Sequence, residues 1–105
     1  DKPDLILNYK GKKALLDGKG KHKPVWLVNK RAVESYEAWS KLMNMPVIIC
    51  FSVFDEEKNL LEMKMACIGT HSYAGSKKEW DKNETVEFES VLPNFSKAAL
   101  ISFLK

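Results

Sequence analysis

The chain has 105 residues, of which 45% are hydrophobic and 30% are charged. That length suits one domain with one core, and the composition is ordinary for a globular protein. No run approaches the roughly 18 consecutive apolar residues that a membrane-spanning helix needs. The first residues, Asp-Lys-Pro-Asp, do not resemble a secretory signal peptide. We therefore expect a single domain without a membrane partner.

Positive charge is concentrated in the first third of the chain. Residues 1–31 contain nine Lys or Arg and three Asp, a net charge of +6, whereas residues 32–105 have a net charge of −3. Such asymmetry is typical of a protein that binds a polyanion, and nucleic acid is the commonest polyanion. A solvated, lysine-rich hairpin that keeps the protein in solution would give the same numbers. Charge alone leaves both interpretations open.

The two cysteines, Cys50 and Cys67, both lie in hydrophobic, strand-like runs. Neither has another Cys or a His at the spacing of a zinc site. We predict that both are buried free thiols rather than a disulfide. Free thiols are typical of the cytoplasm or another reducing intracellular compartment.

The chain begins with a predicted β-hairpin. Residues 4–7 form a short apolar strand, residues 8–12 form a turn that contains a glycine, and residues 13–21 return as a second strand. Gly18 and Gly20 weaken the intrinsic strand preference of that second segment. We therefore expect other contacts to fix its backbone.

The hairpin is followed by a short apolar stretch, residues 24–28, and then by a predicted helix over residues 30–44 with Asn29 as its N-cap. One face of this helix is apolar, because hydrophobic residues recur at helical spacing. They are Ala32, Tyr36, Trp39 and Met43. We predict that Tyr36 and Trp39 are core side chains.

The rest of the chain alternates strands and loops before a final helix. We predict strands over residues 47–54, 60–68 and 85–89, a loop over 69–83, and a helix that begins at Pro93 or Asn94. The first of these strands is nearly uncharged, which suits a central strand covered on both faces. The fold class is therefore α/β or α+β, with a mixed central sheet flanked by helices.

Three residues of the hairpin carry recognisable chemistry. Twelve residues separate Asp4 from Asp17, which opens the triplet Asp17-Gly18-Lys19. Side chains at i and i+2 of a strand share a face, so Asp17 and Lys19 point the same way. The turn brings Asp4 back beside them. Carboxylate oxygens and a backbone carbonyl suit a hard divalent cation such as Mg²⁺ or Mn²⁺, and a lysine could orient water or offset charge on a reacting phosphate.

These residues resemble the signature of the PD-(D/E)xK nuclease superfamily, which shares the restriction-endonuclease-like fold. The matching elements are Pro3-Asp4, then Asp17-Gly18-Lys19 after Ala14-Leu15-Leu16, and then the helix and the apolar strand that follow; together they cover roughly residues 3–65. The region after Lys19 resembles resolvase-like members.

The resemblance implies a role for each motif residue. Asp4 and Asp17 would be catalytic acids that hold the metal, the Gly18 carbonyl would be a third ligand, and Lys19 would be the catalytic lysine. It also implies a DNA endonuclease, often a homodimer.

Members of the family usually have a helix before the hairpin, and this helix supplies a further acidic residue. The given sequence departs from the family because it has no such helix before Pro3-Asp4. Either the chain is the C-terminal part of a longer nuclease domain, or the domain is minimal, or catalysis has been lost. Glu34 and Glu37 could supply a carboxylate, but a solvated helix face is the preferred interpretation of both. The alternative function is a non-catalytic nucleic-acid-binding module that keeps the nuclease fold.

Five further side chains are candidates for contacts with nucleic-acid phosphates. They are Lys21, His22, Lys23, Lys30 and Arg31. The first three continue the basic strand beyond the motif. The last two begin the helix. Cations are locally unfavourable at a helix N-terminus and anions are favoured there, so two cations at this position favour a role in binding phosphate. Trp80 lies among lysines, and we expect it to pack on its own domain rather than to stack on a base.

Overall fold

The computed structural model of the protein describes residues 2–80, 83–89 and 91–104, with only the backbone described for residues 77–80. Nine elements follow one another along the chain. They are β1 (Leu5–Tyr9), β2 (Lys12–Lys21), β3 (Leu27–Asn29), α1 (Lys30–Met43), β4 (Val47–Phe54), β5 (Leu60–Cys67), β6 (Tyr73–Trp80), β7 (Asn83–Phe88) and α2 (Lys97–Phe103). The fold class is α+β with a mixed sheet, as the sequence predicts.

The larger sheet has four strands in the order β1-β2-β4-β5. β1 and β2 form the predicted antiparallel hairpin, in which Leu5 pairs with Leu16. Its turn uses positive φ angles at Lys10 and Gly11, of 50° and 86°. β4 lies parallel to β2 and antiparallel to β5. α1 is therefore part of the crossover that a parallel pair of strands requires.

The two faces of this sheet are covered by different helices. The core on one side includes Val33 and Tyr36 of α1, and the core on the other side includes Leu104 with half-buried residues of α2. β4 is one of the two inner strands of this sheet, and Val47 to Phe51 are all buried. A strand covered on both faces needs apolar residues at every position, which explains its nearly uncharged sequence.

The predicted loop over residues 69–83 is wrong, because this segment contains β6. β6 pairs antiparallel with β7, which also pairs with β3, and these three strands form a second sheet. Gly75, Ser76, Lys77 and Lys78 have little intrinsic strand preference. Pairing with β7 decides their conformation, and a local pattern does not contain that information.

The predicted start of the last helix needs correction, and so does the predicted capping of the first helix by the Asn29 side chain. The segment before α2 is extended: the Met65 N–H donates to the Pro93 carbonyl at 3.0 Å, and the Phe95 N–H donates to the Met63 carbonyl at 2.9 Å. The helix therefore begins only after Ser96, whose Oγ accepts a hydrogen bond from the Ala99 N–H at 3.1 Å. Asn29 does precede α1, but its side chain does not cap the helix.

Two bulk predictions can be compared directly with the structure. Cys50 and Cys67 are buried free thiols, as predicted. Within residues 2–80, 83–89 and 91–104, no helix has both the length and the apolar character needed to cross a membrane.

Candidate active site

The start of the hairpin brings the Asp4 side chain against the backbone of β2. The Asp4 N–H donates to the Leu16 carbonyl at 2.9 Å, so the hairpin pairing continues one residue beyond β1. Carrying the register on by one residue places Asp4 across from Asp17. The Asp4 carboxylate oxygen Oδ2 accepts a hydrogen bond from the Gly18 N–H at 3.0 Å. The Asp4 side chain thus takes the place of a further β1 residue in the pairing, and its hydrogen bond fixes the backbone at Gly18.

The Gly18 carbonyl is directed to the same edge of β2. In a strand, the N–H and C=O of one residue point to the same side of the chain. The Leu16 carbonyl faces β1, where it accepts from Asp4, and the Gly18 N–H also faces that side. The Gly18 carbonyl therefore points to the edge of the sheet beside Asp4.

Asp17 is on the face of β2 that α1 covers, and only 4% of the residue is exposed. Its oxygen Oδ2 accepts a hydrogen bond from the Tyr36 hydroxyl of α1. The same oxygen lies 3.2 Å from the Lys19 ammonium nitrogen. Both contacts compensate a carboxylate that would be costly to bury alone. Neither of these two contacts involves the other carboxylate oxygen, Oδ1.

Tyr36 is fully buried, as predicted, but it is more than a core residue. Burial raises the pKa of its hydroxyl, and the hydrogen bond to Asp17 raises it further, as do the negative charges of Asp17 and Asp4. The hydroxyl therefore stays protonated and acts as a donor. Sequence reasoning missed this role, and the apolar helical pattern around Tyr36 gives no signal that could have found it.

Lys19 is the cation of the group, with 31% of its side chain exposed. Its ammonium nitrogen lies 5.7 Å from the centre of the Tyr36 ring. The predicted sharing of one face by Asp17 and Lys19 is therefore observed. The aliphatic stem is anchored beside the ring while the charged end reaches the surface, where a phosphate group could meet it.

The oxygen donors that the candidate site offers to a divalent cation are the Asp4 and Asp17 carboxylates and the Gly18 carbonyl. No group of three or more His, Cys, Asp or Glu that could hold a metal ion occurs in the part of the chain that the structure describes. Mg²⁺ usually takes only one or two carboxylates and keeps several waters. Asp4 and Asp17 with the Gly18 carbonyl fit that smaller requirement.

The five candidate phosphate contacts occupy different surroundings. Lys21 is turned inward: its ammonium group donates to the Leu27 carbonyl and lies 5.7 Å from the centre of the Phe51 ring. Burial lowers its pKa, with the charge of Lys19 as the second cause. His22 and Lys23 are exposed at the end of β2.

The remaining two candidates begin α1. Lys30 is exposed and lies 3.4 Å from Glu84, so a carboxylate already shares its charge. Arg31 is exposed. A cavity of about 170 Å³ is lined by Lys19, Lys21 and Asn29 among others, so the end of β2 and the beginning of α1 are neighbours. Of the five candidates, Lys23 and Arg31 are exposed cations with no ion pair among the described residues.

The other residues considered from the sequence lie outside this group. Glu34 is exposed, and Glu37 accepts a hydrogen bond from the Tyr73 hydroxyl of β6. Trp39 is half-buried against the core, as predicted. The side chain of Trp80 lies outside the described residues.

Comparisons with protein families, with curated proteins and with solved structures found no match to this chain.

Proposed function

We propose that this chain is a divalent-metal-dependent nuclease of the PD-(D/E)xK type that hydrolyses phosphodiester bonds, with DNA as its substrate and an endonucleolytic mode of cleavage. The observation that carries the proposal is a pair of contacts at neighbouring residues of β2: the Asp4 carboxylate accepts the Gly18 N–H at 3.0 Å, and the Lys19 ammonium nitrogen lies 3.2 Å from the buried Asp17 carboxylate. Solubility alone would require neither a buried carboxylate nor its pairing with a lysine on the same face.

The order of the elements supports the same proposal. The hairpin β1–β2 carries the acidic residues, α1 follows, and β4 then lies parallel to β2. The resemblance implies this order of hairpin, helix and central apolar strand. The free thiols of Cys50 and Cys67 fit a protein that works in a reducing compartment.

The chemistry follows from the placement of the side chains. Asp4, Asp17 and the Gly18 carbonyl would hold Mg²⁺ or Mn²⁺, which would polarise the phosphate and make an attacking water more acidic. Asp4 and Asp17 are each held through one oxygen, so little reorganisation is needed before reaction. The Lys19 ammonium group donates hydrogen bonds and carries positive charge. It would orient the attacking water and offset the charge that develops on the phosphate oxygens.

A cleavage assay tests this proposal. The protein is incubated with single-stranded, duplex and branched DNA and with RNA, in the presence of Mg²⁺, Mn²⁺ or a chelator. We expect cleavage that requires the metal and that is absent from an Asp17→Asn preparation purified in the same way. Absence of metal-dependent cleavage on every substrate would reject the nuclease proposal.

The second candidate is a non-catalytic module that binds nucleic acid and keeps the nuclease-like site. The observation that favours it is that no third His, Cys, Asp or Glu joins Asp4 and Asp17 within the described ranges. This candidate predicts DNA binding that is the same with a metal and with a chelator. The same assay, with binding measured beside cleavage, separates the two candidates.

Binding to DNA should depend steeply on salt, because the basic segment would release counterions from the phosphates. Lys23 and Arg31 are exposed cations that lie two residues along the chain from Lys21 and Asn29, which line the cavity next to Lys19. Replacing both with Gln should weaken binding and reduce the slope of log affinity against log salt by about two, roughly one for each lost phosphate contact.

The matched control for this experiment is the double change of Lys41 and Lys58 to Gln. Both are exposed lysines in the mildly acidic remainder of the chain. We expect this variant to keep the salt slope of the original protein. An affinity that does not change with salt would instead show that the basic segment serves only solubility.

A further inference from the structure

Among the residues that the structure describes, the hydroxyl of Tyr36 donates one hydrogen bond, to the Asp17 carboxylate. The ring is fully buried in the core beneath α1, where a phenylalanine would fill the same volume. Packing therefore accounts for the ring but not for the hydroxyl. A buried hydroxyl is costly unless it is hydrogen-bonded. Here the Asp17 carboxylate supplies that hydrogen bond.

Both carboxylates of the site are held in the same manner. The Asp4 carboxylate accepts the Gly18 N–H on its Oδ2, and the Asp17 carboxylate accepts the Tyr36 hydroxyl on its Oδ2. In each case a rigid donor, a strand backbone or a buried ring, fixes one oxygen. The second oxygen of each carboxylate is then left for an ion. Groups that fix metal ligands in this way lower the cost of ordering them when the ion binds.

Lys19 makes the contribution of Tyr36 more important. Its ammonium nitrogen lies 3.2 Å from Oδ2 of Asp17, the same oxygen that accepts the Tyr36 hydroxyl. The lysine side chain has many rotatable bonds and is partly exposed. Without the hydroxyl, the lysine would be the remaining partner of this buried carboxylate among the described residues. The carboxylate could then rotate with the lysine instead of staying in one orientation.

We infer that Tyr36 is a positioning residue for the proposed metal site, and that its hydroxyl fixes the orientation of the Asp17 carboxylate that would hold the cation. This inference rests on the proposed function, since it assigns Asp17 as a ligand. It adds a residue that lies outside the Asp4, Asp17, Gly18 and Lys19 group. Tyr36 does not touch the substrate, and its effect passes through Asp17.

The test is the affinity of the Tyr36→Phe variant for Mn²⁺, measured by calorimetry on the intact protein without nucleic acid. The change removes one oxygen and leaves the ring in place. We expect the affinity to fall about tenfold to a hundredfold, the usual cost of losing a group that supports a metal ligand. Thermal unfolding of the same samples shows whether the variant is folded.

Tyr73→Phe is the matched control. The Tyr73 hydroxyl also donates to a carboxylate, that of Glu37, but this pair bridges α1 and β6 outside the candidate site. We expect Tyr73→Phe to bind Mn²⁺ as tightly as the original protein. An equal loss in both variants would overturn the inference, because the effect would then be general. Unchanged affinity in folded Tyr36→Phe would overturn it as well.

A spectroscopic measurement covers the case in which Tyr36→Phe does not fold. The chain has three tyrosines, Tyr9, Tyr36 and Tyr73. In protein labelled with fluorotyrosine, the fluorine resonance of Tyr36 should shift when Mg²⁺ is added, while that of Tyr73 should not. A Tyr36 resonance that ignores bound Mg²⁺ overturns the inference. If the original protein binds neither Mg²⁺ nor Mn²⁺, the proposed metal site fails first and the role of Tyr36 fails with it.

Discussion

Replacing Asp17 with Asn should abolish Mn²⁺ binding and, with it, metal-dependent cleavage. The side chain keeps its size, and an amide oxygen can still accept the Tyr36 hydroxyl, so the fold should survive. The negative charge, however, is lost from one of the two carboxylates that the described residues contribute to the site. We expect the affinity for Mn²⁺ to fall by more than the roughly 10–100-fold that loss of a supporting group costs. Calorimetry and the cleavage assay on the same preparation measure both effects.

Asp55→Asn is the control for this experiment. Asp55 is also a hydrogen-bonded carboxylate: its Oδ1 accepts from the backbone N–H groups of Glu57 and Asn59 at 2.9 and 2.8 Å in the turn after β4. Its loss should leave the affinity for Mn²⁺ unchanged. If Asp17→Asn binds Mn²⁺ like the original protein, Asp17 is not a ligand and the proposed site is in the wrong place.

Replacing Lys19 with Met should reduce the cleavage rate by about 10²–10³-fold, the usual cost of losing one electrostatic stabiliser of a transition state. Methionine keeps an aliphatic stem beside the Tyr36 ring but removes the ammonium group that pairs with Asp17. Binding of Mn²⁺ should not weaken, because the lost group is a cation that shares a carboxylate with the ion. Binding of DNA should change little, since the interaction acts mainly in the transition state.

Lys23→Met provides the comparison, because it removes an exposed cation from the end of the same strand. We expect it to weaken DNA binding slightly while the rate at saturating DNA stays the same. Single-turnover cleavage separates these two effects. Cleavage that survives in both Lys19→Met and Asp17→Asn would show that a nuclease activity exists but belongs to other residues.

Much of the hairpin could be predicted from the sequence, because its determinants are local. Strand periodicity alone places Asp17 and Lys19 on one face, and the 3.2 Å ion pair confirms it. The expectation that another contact would fix the backbone at the strand glycines is met at Gly18, where the Asp4 carboxylate binds the N–H. Short-range rules succeed here because every partner lies within one hairpin.

The role of Tyr36 could not be predicted in the same way. Helical spacing correctly indicates a buried ring, but it carries no information about which residue of the sheet lies under the hydroxyl. That depends on how α1 packs across β2, a tertiary arrangement of residues 19 positions apart. The inward turn of Lys21 is a similar case, since its contacts come from Leu27 and Phe51 on other strands.

The second sheet and the late start of α2 also could not be predicted from the local sequence. β6 has a polar, glycine-containing sequence, and its strand conformation comes from pairing with β7. Asn94 looks like a helix cap, but it bridges to Lys64 of β5 in an extended segment. In both places, hydrogen bonds to a distant strand override the local preference.

The uneven distribution of charge also has a consequence for the kinetics of association. The candidate site lies within residues 1–31, which carry a net charge of +6, while the rest of the chain has a net charge of −3. Where such a charge difference along the chain is also a separation in space, the molecule has a dipole, and the field of an approaching polyanion turns the positive end toward it before any atoms touch. A larger share of encounters would then begin with the site already facing the strand. Added salt would remove this orientation and slow the encounter, while the chemical step, which follows binding, would keep its rate.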